Sequence, residues 1–410
     1  MDSARDPQPE ASDADATHRL PTEMPRALSA YGTPAHRLEE AMGLCATRLG
    51  AEAEYFALPT AVFASIGEGE DTRTHMVRVT PGDVNLEKLD RVDSVMGRLL
   101  RGQVGPREAL TEIEEIRSQP NRYPASLAIT CFGVAAGGAA QFFGGSWIDA
   151  ALSAALGLLV GLLAIFAHNH RDLARLTEFL AGITVAGIAG LLAGRVEGLS
   201  PTVVTVSSLV VLFPGLTLTV AINELATKNL ASGTARLMGG AMILLSIGFG
   251  VGVGQVAVAG LSRVPIEAPP MPPWTQAGAI LLVPLALVVL FRARPRDALV
   301  IVPAAAIGYY AARFGSVWAG PELGAGLGAF MVGIVGNLYA RTSRRPTAIT
   351  LVPGIMLLVP GAIGFASVSS FLARDAVEGL ETAFTMLIAA TGIVIGLLLA
   401  NVLVRSKQSL

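Results

Sequence analysis

The sequence has few of the residues that enzymes and metal sites use most. Only 2 cysteines and 5 histidines occur in 410 residues, and charged residues make up 15% of the chain. Cys45 and Cys131 lie in different regions, so no disulfide framework is indicated. No GxSxG, HExxH or GxxxxGK[ST] motif occurs, and His168 and His170 would face different sides of a helix. We therefore expect no catalytic residue, metal site, cofactor or nucleic-acid partner.

Long apolar segments dominate the remainder of the sequence. Hydrophobic residues account for 52% of the chain, and the mean hydropathy is +0.56. Charge is unevenly distributed, because residues 1–125 hold 14 Lys/Arg and 21 Asp/Glu whereas residues 126–410 hold 16 and 11. This composition predicts an acidic soluble region followed by a membrane region.

The soluble region divides into a tail and a small domain. Residues 1–35 are rich in Asp, Ala, Ser, Thr and Pro and have no apolar core, which predicts a disordered tail and not a signal peptide. Residues 36–125 are predicted to form a cytoplasmic α/β domain. In this region, apolar residues at helical spacing follow His36, Val84 and Pro106, and β-branched and aromatic runs lie between the first two.

Ten apolar spans follow, five on each side of a Pro-rich linker at residues 263–275. Several are close to or below the ~20 residues that cross ~30 Å of hydrocarbon. The spans are 127–143, 148–167, 176–193, 202–222, 237–261, 277–291, 298–312, 323–340, 348–371 and 383–404. We therefore predict an α-helical polytopic membrane protein with one five-helix repeat over 126–262 and a second over 276–410.

Cations are concentrated in loops on one side of the predicted membrane region. Twelve Lys or Arg residues fall on the side of residues 1–125, and four fall on the other side. The positive-inside rule then places both termini in the cytoplasm. Because each half has an odd number of spans, the second half enters from the opposite side and the repeat is inverted.

One Pro-Gly pair interrupts an apolar segment in each half. Without a gap, Pro214-Gly215 aligns with Pro360-Gly361, and Gly233 aligns with Gly379. Pro removes a backbone donor and Gly adds freedom, so each pair can unwind a helix and expose backbone groups to a ligand. Broken helices duplicated in two halves often form transporter substrate sites, and a kink without function is the alternative.

Polar residues near these breaks are candidate substrate ligands. Thr217, Thr219 and Asn223 follow the first break and are predicted to hydrogen-bond the substrate, with helix packing as the alternative. Asn223 and Glu224, at the end of the fourth span, and Asn337, near the end of the eighth, are candidates for the inner vestibule.

Glu178 lies about one turn inside the third span, where a carboxylate is costly unless it is paired. We predict that it carries protons or binds the substrate ammonium. The alternative is an interfacial pair with Arg175. Glu224 is the second candidate for proton coupling.

Five segments, in order, resemble the threonine/serine exporter family. They are AEYFALPTAVFASI and VNLEKLDRV in the soluble domain, LTEFLAGITVAGIAGLLAG in the third span, VLFPGLTLTVAINELATKNLASGTARL in the fourth and fifth, and GNLYARTSRRPTAITLVPGIMLLVPG joining the eighth and ninth. The resemblance runs from about residue 36 onward and is closest to the family's fused form. It implies export of threonine, serine and similar small amino acids across the inner membrane, driven by the proton motive force.

Two other functions stay open from the sequence. A membrane-tethered, hydrolase-like enzyme would use residues 36–125, and a passive channel would need no coupling to a gradient. The expected partners are a small amino acid, protons and the lipid bilayer, and assembly into a homo-oligomer is left open.

Overall fold

The chain folds into two compact units that divide after Pro120, close to the border predicted at residue 125. The computed structural model describes residues 13–67, 69–80, 84–168, 170–193, 195–261, 268–358, 361–372 and 375–404.

The first unit combines four helices with one antiparallel sheet. Its elements are α1 (Asp13–Ala30), α2 (Ala35–Arg48), β1 (Ala53–Leu58), β2 (Ala61–Ile66), β3 (Arg73–Arg78), α3 (Leu86–Leu100) and α4 (Pro106–Ser118). The strands pair in the order β1-β2-β3, with Phe56 opposite Phe63 and Phe63 opposite Met76. Apolar residues of all four helices are buried in its core. A small α/β composition in this region was predicted from the sequence.

Helix α1 replaces most of the tail that the sequence predicted to be disordered. Its deepest apolar residues recur at every fourth position and are at most 1% exposed: Ala16, Leu20, Met24 and Leu28. Arg19 also pairs with Glu114 of α4 at 2.8 Å. The prediction for 1–35 was therefore wrong for residues 13–30. A four-residue apolar period can hold a helix against a core even among Asp, Thr and Pro residues.

The second unit is formed mainly by helices. They are α5 (Ala125–Phe142), α6 (Trp147–His168), α7 (Arg171–Ala174), α8 (Thr177–Leu192), α9 (Pro201–Leu209), α10 (Gly215–Ala226), α11 (Leu230–Val258), α12 (Thr275–Leu290), α13 (Ala298–Ala319), α14 (Pro321–Ser343), α15 (Ala348–Met356), α16 (Gly361–Leu372) and α17 (Ala376–Leu403). Every predicted apolar span overlaps one of these helices or two consecutive ones. The two fifth helices, α11 and α17, begin earlier than predicted because their first two turns are polar.

With α15 and α16 counted as one span, seven helical spans in the described part are long and apolar enough to cross a membrane, or eight if α9 and α10 also count as one bent span. Two further apolar helices, α8 and α12, have only 16 residues each. The structure therefore supports a polytopic membrane protein. The predicted number of ten spans is reached only if these two short helices also cross.

The two halves of the second unit pack corresponding helices together. In the first half α8 and α10 pack on α11, and in the second half α14 and α16 pack on α17. Between the halves, α10 contacts α17 and α16 contacts α11. The second part of each interrupted segment therefore lies between the long fifth helices of both halves.

Candidate functional site

The first Pro-Gly pair interrupts a helix, as predicted. Helix α9 ends at Leu209, one 3-10 turn follows over Val210–Leu212, and α10 begins at Gly215. The two segments bend by 58° at the break. Pro214 has no N–H to continue the helical hydrogen bonding, and the Gly215 N–H donates back to the Phe213 carbonyl at 2.8 Å.

The second Pro-Gly pair lies at the corresponding gap between two helices. Helix α15 ends at Met356 and α16 begins at Gly361, while Pro360 lies outside the described residues. Helices α10 and α16 therefore both begin at the glycine of a Pro-Gly pair.

The two breaks lie against each other. A methyl group added to Gly361 would be 3.0 Å from Phe213 Cβ and 3.6 Å from both the Cα and the N of Gly215. The Phe213 ring stacks on Phe365, one turn into α16, with ring centroids 5.1 Å apart. Phe213 is 5% exposed and Phe365 is 3% exposed, so this junction is closed. Tertiary packing thus brings Gly361 of the second half close to Phe213 and Gly215 of the first half.

Helices α10 and α16 lead away from this junction in opposite directions along α11. A methyl group at Gly233, near the start of α11, would be 3.0 Å from the Ala221 carbonyl of α10. At Gly248, further along α11, it would meet Val368 of α16. The N-terminal ends of two twelve-residue helices therefore face one junction. Unpaired N–H groups and the positive ends of helix dipoles make such a junction suitable for a carboxylate.

The predicted polar ligands on α10 differ in their availability. Thr219 is 3% exposed, and its hydroxyl donates to the Gly215 carbonyl at 3.0 Å, so it stabilises the first turn after the break. Thr217 is half-buried within that turn. Asn223, two turns further along, is also half-buried.

Glu224 is fully buried and forms an ion pair within the membrane unit. Arg236 Nε lies 3.1 Å from the Glu224 carboxylate, and the Ser232 hydroxyl donates to the same carboxylate at 2.8 Å. Arg236 is four residues before Gly240, which packs on Pro214 and Leu218. At a rise of 1.5 Å per residue, this ion pair lies about 6 Å from the first break along α11.

Measured along α11, Glu178 of α8 lies on the opposite side of the junction from the Glu224–Arg236 pair. The carbonyl of its neighbour Phe179 packs against Gly250, ten residues beyond the Gly240 level, or about 15 Å along α11. Glu178 is half-buried, and no ion pair joins it to Arg175 in the described structure. The structure therefore does not bring Glu178 and the first break into contact.

Asn337 is also separate from the junction. It is fully buried on α14 and donates to Asn401 Oδ1 of α17 at 2.9 Å. Its own Oδ1 has no hydrogen-bond partner within the described residues. The neighbouring Gly336 packs against Thr350, near the start of α15 and well before the second break.

Two buried aspartates, Asp149 and Asp297, were not identified from the sequence. Asp149 accepts a hydrogen bond from the Ser200 N–H at 2.7 Å, and Asp297 accepts one from Arg345 at 2.5 Å. Each also accepts a bond from the backbone N–H three residues earlier, at 2.8 and 3.1 Å. Asp149 therefore links the start of α6 to the residue before α9, and Asp297 links the start of α13 to the loop before α15. An Asp preceding a long apolar run was the available signal.

Close contacts recur in the two halves at a spacing of 146 or 147 residues. A methyl group on Gly250 of α11 would collide with the Phe179 carbonyl oxygen of α8. One on Gly396 of α17 would collide with the Gly326 carbonyl oxygen of α14. Two further contacts correspond in the same way: Leu218–Gly240 with Gly364–Met386, and Ala221–Gly233 with Ser367–Gly379. In the first of these contacts, the glycine lies on the long helix α11 in the first half and on the short helix α16 in the second half.

The chain is similar to fungal proteins called pheromone-regulated membrane protein 10. It is 30% identical over 380 residues to the Candida albicans (strain WO-1) protein, covering 88% of this chain and 33% of that protein. Against the Eremothecium gossypii protein it is 30% identical over 371 residues (87% and 49%), and against the Saccharomyces cerevisiae (strain YJM789) protein 29% over 390 residues (90% and 48%). The chain thus spans about a third to a half of the length of these curated relatives. No solved structure gives a significant match.

Two family models match the chain in succession. The one described as "Putative threonine/serine exporter" matches residues 19–258, and the one described as "Threonine/Serine exporter, ThrE" matches residues 276–403. The first match alone covers more than half of the chain, and the interval between the two contains the whole Pro-rich linker. The resemblance found in the sequence is thereby confirmed, and the chain belongs to the threonine/serine exporter family in a form that joins both parts in one polypeptide.

Proposed function

We propose that this protein is a secondary transporter that exports threonine, serine and similar small amino acids across the inner membrane, driven by the proton motive force. Family membership and the apolar helices support a membrane transporter. The observation that carries the proposal is the contact between Gly215 and Gly361, which sets the N-terminal ends of α10 and α16 against each other.

The α-carboxylate of the substrate is proposed to bind at this junction. Pro214 interrupts the first helix, and Gly215 and Gly361 are proposed to allow close approach of the ligand to the first N–H groups of α10 and α16. Thr217 and Asn223 are assigned to the remaining polar groups of the substrate because both are half-buried on α10. Thr219 is proposed to stabilise the conformation of the break and not to bind the substrate, because its hydroxyl already donates to the Gly215 carbonyl. Asn337 is assigned to the inner vestibule.

An inverted repeat of five spans per half is proposed, with α8 and α12 as short spans. The contacts that recur 146 or 147 residues apart support the duplication. Two hydrogen bonds support the number of spans: Tyr123 OH donates to Ala293 O at 2.7 Å, and Met271 N donates to Gly145 O at 2.9 Å. Loop residues that are hydrogen-bonded to each other lie on the same side of the membrane, so an even number of spans must separate them. If the short helices α8 and α12 cross, six spans separate Tyr123 from Ala293 and four separate Gly145 from Met271, and both numbers are even.

The tryptophans support the proposed orientation. All 3 tryptophans lie at helix ends on the side opposite the cation-rich loops: Trp147, Trp274 and Trp318, which are 58, 71 and 78% exposed. Such residues are enriched at membrane–water interfaces. We assign this side to the outer face of the inner membrane and the cation-rich loops, both termini and the soluble unit to the cytoplasm.

Proton coupling is assigned to Glu178 and Glu224. The two carboxylates lie on opposite sides of the junction along α11, about 15 and 6 Å from it. A carboxylate in a membrane segment is costly unless it has a functional or pairing role. Glu224 has its partner in Arg236, whereas Glu178 has none within the described residues and is the first candidate for proton binding and release.

Efflux from preloaded cells tests the proposed function. Cells loaded with each of a panel of labelled amino acids are followed with and without an uncoupler. Threonine and serine efflux above that of cells lacking the protein, and abolished by the uncoupler, is the expected result. Efflux that follows only the amino-acid gradient would indicate a passive channel instead. No increase for any amino acid would contradict transport.

A further inference from the structure

Phe213 and Phe365 form a buried aromatic contact at the junction of the two breaks. Their ring planes are inclined by 21°, and neither residue is more than 5% exposed. Phe213 directly precedes the first Pro-Gly pair, and Phe365 lies one turn after Gly361 on α16. The rings therefore cover the two helix N-terminal ends that are proposed to bind the carboxylate.

The two rings come from different halves of the protein. Another stacked pair, Phe179 and Phe249, has similar geometry, with centroids 5.7 Å apart and planes inclined by 25°. That pair joins α8 and α11 within one half, where Gly250 holds the two backbones together. A movement of one half against the other would separate Phe213 from Phe365 and leave the second pair intact.

In the internal repeat, the aromatic residue of α16 has no aromatic counterpart on α10. At a spacing of 146 residues, Phe365 of α16 corresponds to Thr219 of α10. The Thr219 hydroxyl is turned toward the Gly215 carbonyl, so this side of the junction carries a small residue. On the other side, Phe213 Cβ would lie only 3.0 Å from a methyl group at Gly361. The aromatic pair therefore lies directly against the N-terminal end of α16.

We infer that Phe213 and Phe365 together form a size filter and a gate for the substrate site. The inference rests on the proposed amino-acid transport and assigns the limit on side-chain size to two residues. In the closed arrangement the stacked rings occlude the junction. As the halves separate, the rings part and admit an amino acid with a short side chain, while longer side chains collide with the Phe365 ring.

Substrate competition tests the filter. Phe365→Thr places in α16 the residue that the repeat has in α10, and Phe249→Thr removes the stacked pair inside one half as a matched control. Purified full-length protein in proteoliposomes exchanges labelled threonine against unlabelled serine, valine, leucine or phenylalanine. In Phe365→Thr, the half-inhibitory concentration of leucine relative to serine should fall about tenfold, and in Phe249→Thr it should stay within about twofold of the unmodified protein. An unchanged ratio in a Phe365→Thr protein that still exchanges threonine overturns the filter.

Cysteine labelling tests the gate without requiring a substrate. Thr219→Cys, in a chain carrying Cys45→Ala and Cys131→Ala, places one small thiol at a position that is 3% exposed. Its alkylation rate should rise about tenfold with Phe365→Thr, less with the apolar Phe365→Leu, and not with Phe249→Thr, because a closed junction shields the thiol. Equal rates in all variants overturn the gate. Faster labelling, combined with no threonine or serine exchange by the unmodified protein, supports the gate and contradicts the proposed function.

Discussion

Both oxygens of the Glu224 carboxylate lie 3.1 Å from Arg236 Nε, and Glu224 has no exposed surface. Their helices α10 and α11 form a hairpin that starts at the first break. A buried carboxylate is tolerated when a cation and further hydrogen bonds satisfy it, and Ser232 supplies one such bond. The pair therefore fixes α10 to α11 about one turn of α11 from the proposed substrate junction.

Removing only the cation of this pair should be more harmful than removing both charges. Arg236→Gln removes the guanidinium that lies 3.1 Å from the buried Glu224 carboxylate, and breaking one side of a buried ion pair is expected to cost about 3–5 kcal/mol of stability. The double variant Glu224→Gln/Arg236→Gln should recover most of that loss. Thermal unfolding of the purified protein in detergent measures both. A double variant no more stable than Arg236→Gln would show that the charges do not compensate each other.

The glycines of the breaks should tolerate no bulky side chain. Gly215→Leu and Gly361→Leu are each expected to abolish threonine export while the protein remains inserted, because a leucine would occupy the contact between the two helix ends. Gly187→Leu and Gly239→Leu are matched controls, since a methyl group at either position meets nothing within 4 Å. Export rates normalised to membrane expression decide the outcome. Near-normal export in both break variants would reduce the breaks to structural kinks.

In the second unit, local sequence features were sufficient to predict the apolar helical segments and the first interruption. Apolar length predicted the helical segments, and the missing N–H of Pro214 together with the freedom of Gly215 predicted where α9 and α10 separate. The contact between Gly215 and Gly361 could not be predicted in the same way. It depends on how helices of two halves pack, and no local property of either segment encodes the other as its neighbour.

Composition was misleading where a few residues determine the structure. In α1, four apolar residues at helical spacing outweigh a polar, Pro-containing background, so Asp13–Ala30 is a packed helix. At Glu178, the alternative that proximity in sequence offered was a pair with Arg175, and no such pair forms in the described part of the chain. The partner of Glu224 lies twelve residues away on the next helix, and only the hairpin geometry reveals it.

Reporter fusions should show the proposed topology. Residues 1–125, the loop 292–297 and the C-terminal end are expected in the cytoplasm, and the linker 263–274 outside. The hydrogen bond between Tyr123 and Ala293 supports this arrangement, because it places the start of α5 and the end of α12 on one side. Alkaline phosphatase and fluorescent-protein fusions at these positions measure it. Finding the linker and the soluble unit on the same side would contradict both the five-plus-five scheme and the inverted repeat.

The soluble unit should lose stability as pH rises because of Asp93. Burial, reinforced by the Asp90 carboxylate and opposed by Arg101, raises the pKa of Asp93 to about 7. The folded unit then binds this proton more tightly than the unfolded chain does. The group therefore has no effect below about pH 4, and it lowers the free energy of unfolding by about 1.4 kcal/mol per pH unit up to about pH 7.

Asp93→Asn should remove this pH dependence. We expect slower amide hydrogen exchange in α3 than in the unmodified full-length protein at pH 7.5, and no difference near pH 4, after correction for intrinsic rates. Asp71→Asn, at an exposed position of the same unit, is the control. Equal protection of α3 in Asp93→Asn and the unmodified protein at pH 7.5 would mean that the Asp93 charge is fully compensated in the fold.

Glu178 allows proton coupling to be separated from substrate movement. Glu178→Gln keeps the shape of the side chain and removes its titration, so it should lose gradient-driven efflux and retain exchange of threonine between equal pools. Arg175→Gln is the control for a pairing role, and it should leave efflux intact because no ion pair joins the two residues in the described structure. The same defect in both variants, with partial rescue when the charges are exchanged, would show that pairing is the role of Glu178. If Glu178→Gln retains efflux that still collapses with an uncoupler, then coupling resides in another carboxylate, and Glu224 is the remaining candidate.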